Sequence, residues 1–139
     1  MLLTQAVYFS TPRNPRGGDL GDILAISRRN NAALGVTGAL VLDDIFYFQL
    51  LEGPRNVLSH VIGTIQQDTR HLNFTLALFR DIEARAFTDW TMAGMRFLPG
   101  SGGLTGGRDP LALSGRDLHD LICRAMTRDD LRKDAEPVM

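Results

Sequence analysis

The 139-residue sequence has a single cysteine, no long apolar run and almost no net charge. One cysteine, Cys123, rules out an internal disulfide framework and favours a reducing compartment. No apolar stretch reaches the ~20 residues that a membrane helix needs, and the N-terminus does not resemble a signal peptide. A net charge of -1 argues against a nucleic-acid or polybasic membrane surface. We therefore expect a cytoplasmic protein that binds neither nucleic acid nor membrane.

Common catalytic and metal-binding patterns are also missing. The three histidines are scattered along the chain and predict no metal site. The sequence has no serine, histidine and aspartate arrangement for nucleophilic catalysis and no glycine-rich phosphate cradle at the end of a strand. Enzymatic turnover is therefore not what the residues favour.

Hydrophobic periodicity predicts the order strand, helix, strand, strand, helix, strand, strand, followed by a helical tail. The predicted strands cover residues 2–9, 36–42, 45–51, 73–79 and 92–98, and the predicted helices cover 19–33 and 54–68. This βαββαββ order is typical of an α+β, ferredoxin-like fold with both helices on one face of the sheet. In that arrangement we expect the first and third strands to lie side by side and parallel. Because the fold hosts many activities, it does not by itself indicate a function.

The composition predicts three regions along the chain. Residues 1–98 are expected to form one domain, 99–108 a flexible glycine-rich linker, and 109–139 a C-terminal helical extension that is frayed from Thr127 onward. A sheet with both helices on one side needs its other face covered. The extension or a second copy of the chain could supply that cover.

Three polar side chains occupy positions where an apolar core is expected. Asn31, together with Ser27, continues the apolar stripe of the first helix, and Gln49 interrupts an otherwise apolar strand. An unpartnered buried amide costs ~1–3 kcal/mol, so both amides need partners. Tyr8, on the neighbouring strand, could join them beneath the first helix. Each also has a structural alternative: helix capping for Asn31, and a satisfied core amide or hydroxyl for Gln49 and Tyr8.

Six motifs, in order and at matching spacing over residues 2–98, resemble the BLUF family of flavin-binding blue-light photoreceptors. They are YFS (8–10), ILAISRRNN (23–31), VTGAL (36–40), FQLLEGP (48–54), DTRH (68–71) and RAFTDWTM (85–92). The resemblance implies a non-covalently bound flavin between the two helices. FAD is the expected cofactor, with FMN or riboflavin as alternatives.

The resemblance also implies residue roles. Tyr8 would donate an electron and a proton to the excited flavin, and Gln49 would lie between Tyr8 and the N5/C4-carbonyl edge of the ring. Asn31 would pair with the pyrimidine edge and Arg70 with the C2 carbonyl. The full set of expected cofactor contacts is Tyr8, Ile23, Ser27, Arg28, Asn30, Asn31, Gln49, Ile65, Asp68, Arg70 and His71. Among these, Arg28 is assigned to the ribityl-phosphate end, and Ile23 and Ile65 to the apolar walls.

The same resemblance places the readout in the last predicted strand. Trp90 and Met92 match residues that compete for the place beside the glutamine, and Met95 is a further candidate. A signal would pass through this strand and the C-terminal helices to an unknown protein partner or to a homo-oligomer. The resemblance thus implies a sensor without catalytic output.

Two other functions remain open on the residues alone. An acylphosphatase-type hydrolase on this fold would need a phosphate-binding arginine after the first strand, where Arg13 and Arg16 lie. A flavin-free interaction or RNA-binding module would need exposed aromatic residues on the sheet and a basic surface, and the near-neutral charge argues against it.

Overall fold

The computed structural model describes residues 2–14, 18–88, 91–127 and 135–138. Its strands are β1 (Leu3–Pro12), β2 (Thr37–Leu42), β3 (Tyr47–Pro54), β4 (His71–Ile82), β5 (Ala93–Phe97) and β6 (Ala135–Val138). Its helices are α1 (Leu20–Leu34), α2 (Arg55–Gln66) and α3 (Gly115–Thr127), with a short 3-10 turn at Pro110–Ala112. The predicted α+β fold and element order are confirmed. β6 was not predicted, because its four residues include a glutamate and a proline and show no strand pattern.

The sheet order β4-β1-β3-β2-β5-β6 places β3 between the two strands that α1 connects. β1 and β2 each pair with β3 in the antiparallel direction, so the predicted parallel pairing of the first and third strands is wrong. The β2–β3 hairpin reverses the chain, which makes β3 run opposite to β1. The end of β1 therefore meets the start of β3, and Tyr8 pairs directly with Gln49.

The helix boundaries follow local signals in the sequence. Gly35 ends α1 in the left-handed region at a φ of 71°, and its N–H donates to the main-chain carbonyl of Asn31. Asp19 stands at the N-cap position, but its side chain does not cap the helix. It accepts a hydrogen bond from Asn14 at 2.7 Å instead. β3 runs through Gly53 and Pro54, where a break was predicted, and α2 starts at the next residue.

The alternation of side chains along β1 separates two cores. Ala6 and Tyr8 point toward α1 and α2, the two-helix face of the sheet, whereas Val7 and Phe9 point toward α3. On this α3 face, the α3 residues Leu118, Ile122 and Ala125 are buried against the strands. The C-terminal extension therefore covers the face that the first two helices leave open.

Residues 99–107 do not form an open spacer. They fold into turns that bury Leu104 and Thr105. Gly103 adopts a φ of 68°, and a Cβ there would lie 2.5 Å from a carboxylate oxygen of Asp43. The glycines thus serve tight turns packed on the β2–β3 connection, which corrects the expectation of flexibility. The domain boundaries drawn from composition stay a prediction.

Candidate functional site

A cavity of about 430 Å³ lies on the two-helix face of the sheet, between α1 and α2. Ten of the expected contact residues line it: Tyr8, Ile23, Ser27, Asn30, Asn31, Gln49, Ile65, Asp68, Arg70 and His71. Both helices supply an apolar side chain, Ile23 and Ile65, α1 adds polar ones, and the strands and the turn after α2 supply the remaining polar groups. With Leu40, which also lines it, the cavity brings together residues from five of the six motifs of the sequence.

Tyr8 and Gln49 form a direct contact in the floor of the cavity. Both are buried, and the Tyr8 hydroxyl donates a hydrogen bond to Oε1 of Gln49. The other end of the amide, Nε2, donates to the sulfur of Met92 at 3.4 Å. Burial, reinforced by the negative charge of Asp68, raises the pKa of Tyr8 far above its usual value. The phenol therefore keeps its proton at any physiological pH.

Asn31 is buried on α1 and holds the chain that leads into β5. Its Nδ2 donates to the carbonyl of Thr91 at 2.9 Å. Helix termination uses the main-chain carbonyl of Asn31, which accepts from Gly35 and Val36. The side chain is thus not a helix cap, and it combines a place on the cavity wall with a contact to the segment before β5.

Asp68 and Arg70 meet at the rim of the cavity, in the turn that follows α2. The guanidinium Nε of Arg70 donates to Oδ1 of Asp68 at 3.0 Å, and the main-chain N–H of Arg70 donates to the same oxygen at 2.9 Å. The side-chain hydrogen bond from Arg70 is the main cause that lowers the pKa of Asp68 below its usual value. The pair holds the guanidinium in place while leaving it on the cavity wall.

His71 is fixed by the protein at both ring nitrogens. Nε2 lies 2.6 Å from the carbonyl of Ile65, which can only accept, so this nitrogen carries a proton. Nδ1 lies 2.7 Å from the hydroxyl of buried Ser10. The ring also meets Tyr8 edge-on, with 6.3 Å between centroids. His71 is therefore held beside the Tyr8 ring, whose closer aromatic neighbour is Phe74, stacked at 4.7 Å between centroids.

Arg28 does not lie on the cavity wall, which corrects its assignment to the ribityl-phosphate end. Its Nε donates to the carbonyl of Met92 at 2.9 Å and its Nη2 to the carbonyl of Val138 at 3.1 Å. The side chain leaves α1 toward β5 and β6, because two main-chain carbonyls there need donors. Its partners lie in the C-terminal half of the chain.

The three readout candidates fall in different places. Met92 is buried against Gln49 on the two-helix face. Met95 lies in the core of the α3 face, away from the glutamine, and its role in the readout stays a prediction. The two methionines are three positions apart, and successive residues of the extended strand alternate between faces. Trp90 lies outside the described residues.

Sequence reasoning missed several wall residues, of which Tyr47 is the most informative. Tyr47 stands two positions before Gln49 on β3 and therefore faces the same side of the sheet. It is buried, and among the described residues no group pairs with its hydroxyl. The period-two pattern of the strand could have identified it. The other missed wall residues are Ile26, Ala33, Leu34, Leu40, Leu51, His60, Val61 and Thr64.

Two searches of the described part of the chain gave negative results. Within it, no helix is long and apolar enough to cross a membrane. No group of three or more histidine, cysteine, aspartate or glutamate side chains there could hold a metal ion. His119 and Cys123, one turn apart on α3, do approach to 3.5 Å, but they form a pair without further ligands in that region.

The family model described as sensors of blue light using FAD matches residues 3–93. The photoactivated adenylate cyclase subunit beta of Euglena longa is 33% identical over 92 residues, which are 65% of this chain but only 11% of that relative. The solved structure of BlrB, a BLUF protein in its dark state, superposes with a TM-score of 0.76 at 28% identity, covering 90% of this chain and 95% of that one.

The photo-activated state of BlsA superposes with a TM-score of 0.78 at 25% identity, covering 91% of this chain and 96% of that one. The family match covers well over half of the chain and includes every cavity residue named from the motifs. The chain therefore belongs to the BLUF family, blue-light sensors that use FAD.

Proposed function

We propose that Tyr8 and Gln49 are the light-operated switch of this sensor, acting on a flavin held in the cavity between α1 and α2. The hydrogen bond from Tyr8 to Gln49, in the floor of that cavity, carries the proposal. The chain then acts as a photoreceptor that signals to a partner or to another copy of itself, rather than as an enzyme.

The cavity residues fit a flavin. A volume of about 430 Å³ is within the range of ~300–1,000 Å³ found for small-molecule sites. Ile23 and Ile65 approach from the two helices and suit the faces of a flat aromatic ring, while Asn31, Gln49 and Arg70 suit its polar edge. The hydroxyl of Tyr47 is a further donor on the wall. FAD is the cofactor of the family, although these contacts are to a ring that FMN and riboflavin share.

A flavin bound in this cavity would supply the blue-light absorption and, once excited, an acceptor for one electron. Tyr8 supplies that electron from its ring, and its phenol proton passes along the existing hydrogen bond to Oε1 of Gln49. The burial that raises the pKa of Tyr8 opposes loss of this proton alone, so the proton leaves only with the electron. The electron and the proton would then return to Tyr8, and in the interval the amide of Gln49 could rotate.

Gln49 is suited to this task because an amide exchanges donor and acceptor at little steric cost. Before illumination, Oε1 faces Tyr8 and Nε2 faces the sulfur of Met92. A reoriented amide would offer a stronger hydrogen bond to the carbonyl edge of a flavin, and such a bond would shift the absorption to the red. The same change removes the donor from Met92, so the strand that begins one residue later responds.

The test is a light-minus-dark absorption spectrum of the purified, flavin-loaded protein. We expect a reversible red shift in the wild type and its loss in Gln49→Leu, which keeps the side-chain size but has no amide. A red shift that persists in Gln49→Leu contradicts the role of the glutamine. A folded protein that binds no flavin contradicts the function itself.

The two other functions find no support. Arg13, needed as a phosphate ligand by a hydrolase, donates to the carbonyl of Thr69, and Arg16 lies outside the described residues. A flavin-free module would leave the cavity and its polar wall without a role. The similarity to the cyclase relative does not identify a partner. The match covers only 11% of that relative, so its activity cannot be assigned to this chain.

A further inference from the structure

Met92 is held at both ends by residues of different elements. Its sulfur accepts from Gln49 at 3.4 Å, and its main-chain carbonyl accepts from Nε of Arg28 at 2.9 Å. The residue before it, Thr91, is held by Asn31 at 2.9 Å. The segment that enters β5 is therefore fixed to α1 by two side chains and to the switch by one.

Arg28 also reaches the last strand. Its Nη2 donates to the carbonyl of Val138 at 3.1 Å, in β6. Val138 pairs with Gly94 of β5, two residues after Met92. A planar guanidinium presents its donors in a rigid fork, so the two carbonyls that it binds are held at a fixed mutual placement. A shift of Met92 therefore strains the hydrogen bond to Val138.

α1, β5 and β6 pack tightly around Gly94, next to the hydrogen bonds of Arg28. A Cβ at Gly94 would lie 2.7 Å from Cδ1 of Leu24 on α1 and 3.2 Å from the carbonyl of Val138. α1, β5 and β6 thus approach one another as closely as a glycine permits. A displacement at the start of β5 cannot be absorbed there and passes to β6, which is the outer strand of the sheet.

We propose that Arg28 is a positioning residue that couples Met92 to β6, so that the light-induced change at Gln49 loosens the C-terminal strand. The inference rests on the proposed switch of Tyr8 and Gln49. Loosening β6 uncovers the edge of β5, with which β6 pairs. β6 is then the element through which the sensor reports.

The experiment records the amide exchange of Glu136 and Val138 by NMR on the full, flavin-loaded chain, in the dark and under continuous blue light. We expect faster exchange in light for the wild type. Arg28→Ala abolishes this light-dark difference while the red shift of the flavin stays. Arg28→Lys keeps the charge but binds one carbonyl at a time, so it restores part of the difference. The exposed neighbour substitution Arg29→Ala leaves it unchanged.

The outcomes separate this inference from the proposed switch. A wild type without a red shift refutes the switch, whatever β6 does. A wild type that has the red shift but no light-dark difference at Glu136 and Val138 overturns the role of β6. A full difference in Arg28→Ala overturns the role of Arg28. If Arg28→Ala does not fold, a full difference in Arg28→Lys overturns it and a reduced one supports it.

Discussion

The buried polar side chains Gln5 and Glu52 on the α3 face contact only other protein groups, whereas Tyr8, Asn31 and Gln49 on the two-helix face also line a cavity. On the α3 face, the carboxylate of Glu52 accepts from Gln5 at 2.9 Å and from the main-chain N–H groups of Ala86 and Phe87 at 2.8 and 3.0 Å. Gln5 in turn accepts from Arg80 at 3.0 Å. On the two-helix face, the buried hydroxyl of Tyr47 has no hydrogen-bond partner among the described groups.

The same two strands supply both arrangements. Gln5 and Tyr8 lie on β1, and Glu52 and Gln49 lie opposite them on β3. A buried amide in a strand therefore does not by itself indicate a binding site. What distinguishes Gln49 is that its face of the sheet has unfilled volume, so that its amide can meet a ligand. Gln5 meets a carboxylate and serves the fold.

The largest expected effect is a loss of stability when the hydrogen bonds of the α3 face are removed. Glu52→Ala removes the acceptor of three donors, of which those of Gln5 and Phe87 are buried and then cost ~1–3 kcal/mol each. We expect the free energy of unfolding to fall by about 3 kcal/mol or more, measured by urea denaturation. The control is Glu83→Ala, at an exposed carboxylate in the loop after β4. Its free energy of unfolding should stay within ~0.5 kcal/mol of the wild-type value. A loss below about 1 kcal/mol in Glu52→Ala would show that water replaces the carboxylate.

A pair of apolar truncations contrasts the two faces directly. Leu118→Ala leaves a void in a filled core and should cost about 2–5 kcal/mol with or without flavin. Ile23→Ala, on the cavity wall, should cost less in the flavin-free protein because its side chain already borders open space. Added flavin stabilises the folded state by mass action, so the deficit of Ile23→Ala should grow when flavin is present.

Thermal unfolding with and without excess FAD measures both deficits. If FAD widens the deficit of Leu118→Ala as much as that of Ile23→Ala, the two faces are not independent. If it widens neither, Ile23 makes no contact with the cofactor.

The Asp68–Arg70 pair at the cavity rim should make stability depend on acid pH. The hydrogen bond from Arg70 lowers the pKa of Asp68 from its usual value near 3.8, so the folded state favours the carboxylate. The stabilisation is complete above the unfolded pKa and is lost as the pH falls through the lowered folded value. Asp68→Asn should cost about 1 kcal/mol at pH 7 and almost nothing at pH 2. Unfolding free energies of both proteins across this range test the sign, and a gap that widens in acid contradicts it.

The smallest effect is expected at the exposed ion pair between Arg55 and Asp81. Their side chains are 55% and 58% exposed, and such pairs contribute ~0–1 kcal/mol. Asp81→Asn should therefore change the unfolding free energy by less than ~0.5 kcal/mol and leave flavin affinity unchanged. A larger change would mean that the start of α2 depends on this contact.

The sequence predicted the elements well where the pattern is local. The helical spacing of Leu20, Ile23 and Leu24 located α1, whose predicted range of 19–33 lies within one residue of the observed bounds. It placed Tyr8 beside Gln49, but with the wrong strand direction, because periodicity carries no information on which way a neighbouring strand runs. Direction follows from the hairpin and the crossover helix, which are properties of the whole chain.

The two errors at the site, at Arg28 and Tyr47, both arise because a side chain's hydrogen-bond partners depend on tertiary contacts. Arg28 is on the same helix as Asn31, and from the sequence alone both could face a ligand. Only the position of β6, about a hundred residues away in the chain, shows that Arg28 serves two main-chain carbonyls. Tyr47 was missed for the opposite reason, since an aromatic residue in an apolar strand is ordinary core. Its unmatched hydroxyl becomes visible only when its neighbours are known.

The central claim is that Tyr8, and not merely a tyrosine in the cavity, operates the switch. Tyr8 and Tyr47 both line the cavity and are both buried, but only Tyr8 donates to Gln49. The direct test is the blue-light difference spectrum of Tyr8→Phe beside that of Tyr47→Phe, each loaded with FAD. We predict no red shift in Tyr8→Phe and a reversible red shift in Tyr47→Phe. A red shift in Tyr8→Phe would contradict the account.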